Sequence, residues 1–482
     1  MRGVSFAAAA AVTLVFVSGC VNLAPEYQRP AAPVPEAWPV NPQQRQQGTA
    51  LAADLDWRAF FIDERMRHLI ELALQHNRDL RVAALNIEKA RAQYQIERSA
   101  LFPSIDANAA GTRQRIPETL STTGGAYTNS EYTASLGFAA YELDLFGRLR
   151  NLKAQALEQY LATTEARRST QISLVSAVAS AWLTLTADRE RLQLAHETLA
   201  SQRTSYELIQ RSFEVGVATE LDLRRAQSSV DSAQVDIASY TTLVAQDLNA
   251  LSLLVGRPVA EEGEKLSLRD ITHAMPQPSP GLPAEILLRR PDILRAEHDL
   301  RAATANIGAA RAAFFPSITL TAGAGTASTK LSDLFSAGTG TWNFMPQINL
   351  PIFNAGRNKA NLAVAQVDRE ILLAQYEQSI QIAFREVADA LAVRSTIDTQ
   401  LVAQQSLTDA SEKIYQLSEA RYRQGVESYL GVLDAQRSYY NAQQTLIATR
   451  LSQATNLVTL YKVLGGGWQA PTGLSEPLAG ID

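Results

Sequence analysis

Side chains that could carry out catalysis are present in this sequence, but none stands in a catalytic pattern. His196-Glu197 begins like the zinc-protease motif His-Glu-x-x-His, yet position 200 holds Ala200 where the second histidine should be. The five histidines form no metal-ligand spacing. Gly323-Ala-Gly-Thr lacks the Gly-Lys-Ser/Thr ending of a phosphate-binding loop and lies in strand-like sequence. The sequence therefore predicts no enzyme, no metal site and no bound cofactor.

The only cysteine, Cys20, indicates a different kind of chemistry. Arg2, the apolar run from Val4 to Val17 and the small residues before Cys20 predict a secretory signal peptide over residues 1–19. Val17-Ser-Gly-Cys20 resembles a bacterial lipobox, in which the cysteine becomes the lipidated first residue of the mature chain. An ordinary signal peptide with a chance cysteine is the alternative. No aspartate of the kind associated with inner-membrane retention follows, so we expect a covalent lipid on Cys20 and anchoring in the outer membrane.

Composition limits the remaining classes of function. The chain has 482 residues, enough for two or three domains and a buried core. Its net charge is only −5 and no basic stripe is visible, which argues against a nucleic-acid partner. Long stretches rich in Ala, Leu, Gln, Glu and Arg predict unusually long helices.

The chain is internally duplicated. Phe102-Pro-Ser-Ile recurs 213 residues later as Phe315-Pro-Ser-Ile, and Gly216-Val recurs 209 residues later as Gly425-Val. Such matches in two nearly constant registers indicate a repeated structural unit. The predicted organisation is an extended N-terminal segment at 20–62, a first repeat at 63–256, a linker at 257–283, a second repeat at 284–467 and a C-terminal tail at 468–482.

Each repeat predicts the same order of elements: a helix that stops before a proline, two strands and two long helices. The strands are expected at about 105–115, 131–145, 318–328 and 342–352, where apolar residues alternate with small or polar ones. Glycines at 216 and 425 are expected to turn each long helix back on itself. The apolar run Leu174–Leu185 is too short to span a membrane and is interrupted by hydroxyl residues, so it is assigned to a helical core.

Four amphipathic strands on an exported chain suggest a membrane barrel, because lipid tolerates only structures that satisfy every backbone polar group. The smallest membrane barrels have about eight strands, so several copies must share one barrel. The helices are far too long for one compact bundle, and we expect them to form a second cylinder on the same axis.

Several motifs carry a family resemblance. They are Glu142-Leu-Asp-Leu-Phe-Gly-Arg148, Arg289-Arg-Pro-Asp-Ile293, Ala309-Ala-Arg-Ala-Ala-Phe-Phe-Pro-Ser317, Leu433-Asp-Ala-Gln-Arg-Ser438 and Leu464-Gly-Gly-Gly-Trp468. Together they resemble the outer-membrane factor family, in particular its lipidated multidrug-efflux branch, and the resemblance covers essentially the whole mature chain. It implies an α+β membrane protein: a homotrimer with a 12-stranded β-barrel, four strands from each chain, continuous with a long periplasmic α-helical barrel.

The resemblance also implies a function and its partners. The chain would be the outer-membrane exit channel of a tripartite system and would conduct drugs passively. A periplasmic adaptor and an inner-membrane resistance-nodulation-division pump would deliver them. The outer-membrane duct of a type I protein-secretion system is the alternative within transport. A lipid-anchored coiled-coil scaffold without a pore is the alternative outside transport, but it does not explain the four amphipathic strands.

Site residues follow from the same resemblance. Leu430 and Asp434 would ring a closed periplasmic aperture, with Arg437 helping to hold the helix. Their spacing of four and three residues places all three on one helix face, so several copies would present an apolar ring beside an acidic one. An ordinary surface ion pair between Asp434 and Arg437, with Leu430 in packing, is the alternative.

The two helical turns are the second implied site. By the resemblance, Gly216 and Val217 in the first turn, and Gly425 and Val426 in the second, would contact the adaptor. Glycine is also needed at such a turn for its backbone conformation alone. The two explanations of the glycines are compatible.

Overall fold

The computed structural model describes residues 21–39, 55–121, 124–260, 267–277 and 287–468. The predicted signal peptide at 1–19, the lipidation site Cys20 and the tail beyond residue 468 lie outside the described residues, as do parts of the linker. The described residues form two compact units. One contains residues 21–31, 86–121, 124–164 and 295–376, and the other contains residues 32–39, 55–85, 165–260, 267–277, 287–294 and 377–468.

The elements follow the duplicated order that the sequence predicts. The first set is α1 (Trp57–Phe60), α2 (Glu64–His76), α3 (Arg78–Ser99), β1 (Asp106–Ile116), β2 (Tyr127–Leu143), α4 (Arg148–Glu214), α5 (Glu220–Val255) and α6 (Leu268–Ala274). The second set is α7 (Pro291–Ala312), β3 (Ser317–Ser328), β4 (Gly340–Asn349), α8 (Arg357–Arg423) and α9 (Tyr429–Val463). The order of long elements from α3 to α5 is therefore repeated from α7 to α9.

Two short helices depart from the predictions. α6 lies inside the stretch assigned to a linker, where Ser267 caps the helix by accepting a hydrogen bond from the N–H of Asp270. α1 lies inside the segment expected to be extended, where the Asp56 side chain accepts from the N–H of Arg58. In both places a local N-cap starts a helix of fewer than eight residues, which is too short for a helical period to show in the sequence.

The first unit contains a four-stranded antiparallel sheet in the order β1-β2-β3-β4. Asp106 pairs with Gly137 at one end of β1, and Ser317 pairs with Asn349 at the start of β3. A bulge interrupts β2 between Phe138 and Tyr141. Every residue of β4 is exposed in the single chain, as is nearly every residue of β1. Both faces of the edge strands are therefore uncovered by the chain itself.

Charged residues organise the ends of the strands in the same unit. Glu142 accepts two hydrogen bonds from Arg148, at 2.8 and 2.6 Å, and Asp144 accepts from the guanidinium of Arg150 at 3.1 Å. Phe146 stacks on Phe315, with ring centroids 4.7 Å apart. The motif from Glu142 to Arg148 thus fixes the passage from strand β2 to helix α4.

The second unit is helical. It contains the larger parts of α4 and α8, whose N-terminal parts belong to the first unit and which each have 67 residues, about 100 Å of helix at ~1.5 Å per residue. Among the described helices, α4 alone is long and apolar enough to cross a membrane, and 61% of the qualifying stretch is buried. This burial agrees with the prediction that Leu174–Leu185 belongs to a helical core.

Two of the sequence motifs anchor this helical unit. Arg290 is 8% exposed, pairs with Asp292 at 2.7 Å and Glu386 at 2.9 Å, and donates to the carbonyl of Val463. The guanidinium of Arg168 lies over the ring of Trp468, 4.7 Å from its centroid. The Arg-Pro-Asp and Gly-Gly-Gly-Trp motifs therefore fasten the end of α9 to neighbouring helices.

Candidate functional site

Each long helix ends in a tight turn with the same backbone geometry. Gly216 has φ +77° and Gly425 has φ +73°, in the left-handed region that residues with a Cβ rarely adopt. A Cβ added to either glycine would meet no heavy atom within 4 Å. The conformation of the turn, and not a lack of space, therefore explains glycine at both positions.

The residue after each glycine closes the turn with a backbone hydrogen bond. The N–H of Val217 donates to the carbonyl of Ser212 at 2.8 Å, and the N–H of Val426 donates to that of Arg421 at 3.0 Å. This pattern belongs to a Schellman-type helix end. It leaves the side chains of Val217 and Val426 81% and 63% exposed. The two turns therefore present apolar side chains on a fixed backbone.

The return helices begin with side-chain caps. Thr219 accepts from the N–H of Asp222, whose carboxylate accepts from the backbone N–H of Thr219, a reciprocal capping box. Ser428 accepts from the N–H of Gly431 at the start of α9. The helix after the first turn thus begins with two reciprocal hydrogen bonds, whereas the helix after the second turn begins with a single side-chain cap.

The two hairpins pack against each other near their turns. A buried cluster joins Ile209, Ala226, Tyr429 and Leu433, and partly buried Tyr206, Ala218, Leu223 and Tyr422 surround it. Burial, followed by the effect of neighbouring tyrosines, raises the pKa of Tyr429 to about 12, so its phenol is neutral at physiological pH. The cluster holds the start of α9 by one face.

Leu430, Asp434 and Arg437 lie on the opposite, exposed face of α9. Leu430 is 42% exposed, whereas Leu433 on the packed face is 2% exposed. In the described part of the chain, no ion pair joins Asp434 to Arg437. The three predicted residues therefore share a face that the single chain leaves open.

The segment after position 20 follows the surface of the first unit. The amide of Asn151 donates to the Asn22 side chain at 2.9 Å, and a Cβ on Gly147 would lie 3.3 Å from the carbonyl oxygen of Val21. Arg311 donates to the carbonyl of Leu23 at 3.0 Å. The first described residues are therefore held beside the junction between β2 and α4.

An ionic cluster that the sequence did not reveal fastens the same segment further along. Glu297 of α7 is 2% exposed and accepts hydrogen bonds from Arg29 at 3.0 and 2.7 Å, from Arg301 at 2.6 Å and from the hydroxyl of Tyr27 at 3.1 Å. Arg29 and Glu297 are 268 positions apart. The spacing of Glu297 and Arg301 is a sequence signal for a helical pair, but nothing local connects that pair to Arg29.

His196-Glu197 and Gly323-Ala-Gly-Thr lie on separate elements of the structure. Within the ranges that the structure describes, no group of three or more His, Cys, Asp or Glu is placed to hold a metal ion. Gly323 lies inside strand β3, as its sequence context predicts. His196 and Glu197 lie on α4 and line a cavity of the helical unit.

Comparison with known proteins agrees with this architecture. Residues 69–257 and 282–466 match the family described as Outer membrane efflux protein. A Pseudomonas putida protein named Toluene efflux pump outer membrane protein TtgC is 50% identical over 474 residues, 98% of each chain. Outer membrane protein OprJ of Pseudomonas aeruginosa is 42% identical over 468 residues, 97% of each chain.

Solved structures agree in fold. A membrane protein from Pseudomonas aeruginosa superposes with a TM-score of 0.86 at 41% identity, over 92% of this chain and 100% of that one. The open state of the MtrE outer membrane channel of Neisseria gonorrhoeae gives 0.83 at 40% identity, over 93% and 99%. At these identities and coverages the fold is that of an outer-membrane channel, with four strands and long helices in each chain. This chain belongs to the outer membrane efflux protein family.

Proposed function

We propose that this chain is the exit channel of a tripartite multidrug efflux system. It would conduct drugs passively from an inner-membrane resistance-nodulation-division pump and its periplasmic adaptor to the exterior. One observation carries the proposal: a four-stranded sheet whose edge strands, β1 and β4, have no partner on their outer sides among the described residues. In lipid those edges must be paired.

The number of copies follows from the size of a useful barrel. Two copies would give eight strands, whose interior is just wide enough to be filled by side chains. Three copies give 12 strands and room for an aqueous duct. β4 of one copy would then pair with β1 of the next, and the long helices would continue the duct into the periplasm. We therefore propose a homotrimer.

The exposed face of α9 supports a gate at the periplasmic end. Three copies of Leu430 would form an apolar constriction, and three copies of Asp434 would form an acidic ring that favours cations. Arg437, one further turn along, would help to hold the helix. Because the other face of α9 is fixed by the buried cluster at Tyr429 and Leu433, opening the gate would require the start of α9 to move with that cluster.

The two turns support adaptor docking. Gly216 and Gly425 set the backbone, and the exposed Val217 and Val426 offer small apolar contacts of similar geometry. An adaptor with a repeated apolar tip would find six such sites around a trimer. The division of roles is testable because the glycines and the valines can be changed separately.

A covalent lipid on Cys20 is the third part of the proposal. Val21 and Asn22 are held beside Gly147, where strand β2 gives way to helix α4. A lipid on the preceding residue would then enter the outer membrane next to the barrel wall. Mass spectrometry of the mature N-terminal peptide should show acyl chains, and Cys20→Ala should abolish them. An unmodified cysteine would refute this part.

The decisive experiment for the proposed function is deletion of the gene followed by drug-susceptibility tests and isolation of bound proteins. We expect hypersensitivity to several drug classes, restored by the wild-type gene, and co-purification of an adaptor and an inner-membrane pump. Normal susceptibility combined with a defect in protein secretion would favour the type I secretion duct instead.

A further inference from the structure

The helical unit contains a cavity that is separate from both the gate and the turns. Its volume is about 970 Å³, and residues of α4, α8 and α9 form most of its lining. Cavities that bind drug-sized molecules have volumes of ~300–1,000 Å³. The cavity is therefore large enough for a polycyclic ligand.

Aromatic rings form part of its wall. Tyr439 of α9 lines the cavity beside three carboxylates, and Trp182 of α4 lines it further along, where the guanidinium of Arg189 already lies 6.0 Å from the centroid of its ring. Tyr439 is nearly parallel to Tyr415, with an angle of 19° between the rings and 6.2 Å between their centroids. This contact keeps the orientation of Tyr439 well defined, as a flat binding surface requires.

Three carboxylates near Tyr439 lack cationic partners. Glu197 accepts a hydrogen bond from the amide of Gln193, and Asp409 accepts from that of Gln405, both at 2.8 Å. Glu412 accepts from the amide of Gln416 at 3.2 Å. No ion pair involves any of the three within the described ranges of the chain. Neutral amides orient these carboxylates but leave their charges uncompensated.

The remaining charges of the lining do not cancel this negative potential. A fourth carboxylate, Glu190, accepts from the backbone N–H of Leu268, and the lining contains two guanidiniums, those of Arg189 and Arg450. Four carboxylates therefore face two cations, with His196 counted as neutral. Burial and then the charges of three carboxylates in the lining raise the pKa of Tyr439, as expected in a negative environment.

We propose that this cavity binds a flat, aromatic organic cation. The positive charge would lie near Glu197, Asp409 and Glu412, and the ring system would contact Tyr439 through stacking and cation–π attraction. Among the described residues no cluster of ligands suits a metal ion, so the ring of Tyr439 favours an organic cation over an inorganic one. The site lies in the wall of the helical unit, and its existence does not depend on the proposed transport function.

Ethidium is a suitable probe because it is planar, singly charged and fluorescent. Binding would be measured on the purified full-length oligomer in detergent, for wild type, for Glu197→Gln/Glu412→Gln and for a matched control. The control, Glu207→Gln/Asp231→Asn, removes two exposed carboxylates that do not line the cavity. It therefore changes the net charge by the same amount.

We expect saturable binding of one ethidium per chain to wild type. The dissociation constant should rise about tenfold in the cavity variant, the effect of losing two solvent-exposed charge attractions at the upper end of their usual strength, and stay within about twofold in the control. If the double variant does not assemble, Glu412→Gln alone should raise it about threefold. Unsaturable binding to wild type, an unchanged constant in an assembled cavity variant, or an equal loss in the control would each overturn the proposal.

Discussion

Glu297 provides a sharp test of how the segment after position 20 is held. Its carboxylate is 3% exposed and accepts from Arg29, Arg301 and Tyr27. Burial by itself raises the pKa of Glu297, but the hydrogen bond from Arg29 and the charges of Arg301 and Arg29 outweigh it, and the net pKa is lowered. The group is therefore ionised at neutral pH, and Glu297→Gln removes a charge shared by two arginines.

The size of the effect follows from the exposure of the partners. Removing one member of a fully buried ion pair costs ~3–5 kcal/mol, because the other charge stays buried. Here Arg29 is 44% exposed and Arg301 is 34% exposed, so water can solvate both after the change. We therefore expect the segment to be released more easily by ~2 kcal/mol, which is about a 30-fold increase in the released population.

The pH range in which this contribution acts can be stated. The folded-state pKa of Glu297 lies below its ordinary value of 4.5. The stabilisation of the segment by the ionised carboxylate is therefore complete above pH 4.5. It is lost as the pH falls through the folded-state pKa. An assay near pH 8 therefore measures the full effect.

Cleavage by chymotrypsin after Tyr27 reports the release directly. When opening and closing are fast compared with cleavage, the rate follows the open population, so Glu297→Gln should be cut about 30-fold faster than wild type. Glu370→Gln is the matched control, since Glu370 is 65% exposed and pairs with Arg369 on the surface. A rate for Glu297→Gln within about threefold of wild type would refute the reasoning. That result would mean that the contacts near Asn22 keep the segment in place instead.

Three further predictions address the gate, the turns and the helical unit. Leu430→Ala with Asp434→Ala should raise single-channel conductance in planar bilayers, because both rings are removed; an unchanged conductance would exclude the gate. Val426→Asp should weaken adaptor binding without lowering the unfolding temperature, because its side chain is exposed, and full binding would exclude contact at that turn. Burial, followed by the charge of the neighbouring Asp188, raises the pKa of Asp247 from 3.8 to about 6. The folded protein therefore loses stability as the pH rises from about 3.8 to 6, because the carboxyl group of Asp247 ionises less readily in the folded state than in the unfolded state. Asp247→Asn should therefore raise the unfolding temperature at pH 7.5 but hardly at pH 4, and an equal change at both values would contradict this.

The long elements were predictable from the sequence because their patterns extend over many periods. The helices α4 and α8 run for 67 residues each, and their ends are marked by Gly216 and Gly425. The four strands alternate over ten or more residues and follow a proline in each repeat. Their bounds differ from the predicted ones by a few residues, because the sequence pattern does not show where ladder pairing stops.

What the sequence could not show depends on contacts between distant residues or on very short elements. α6 has seven residues, and only the Ser267 cap marks its start. Arg29 reaches Glu297 through the fold, so the pair leaves no local pattern. In the sequence, His196-Glu197 resembles a fragment of a metal motif, whereas the structure places Glu197 in a cavity that is also lined by Tyr439 of another helix.

The duplication also explains why the proposed gate belongs to one repeat. At an offset of 209 residues, Leu430 corresponds to Leu221, but Asp434 corresponds to Arg225. Arg225 lies 3.8 Å from Asp222, so its charge is partly compensated within its own helix. Asp434 has no ion pair in the described part of the chain. The helices that follow two turns of nearly identical backbone therefore carry opposite charges at corresponding positions, and only the charge of Arg225 is partly compensated. Three copies of Asp434 would form an acidic ring that repels itself at neutral pH. In the proposed channel, duplication would supply two equivalent turns for docking, and divergence at this one position would confine the charge-sensitive aperture to the second repeat.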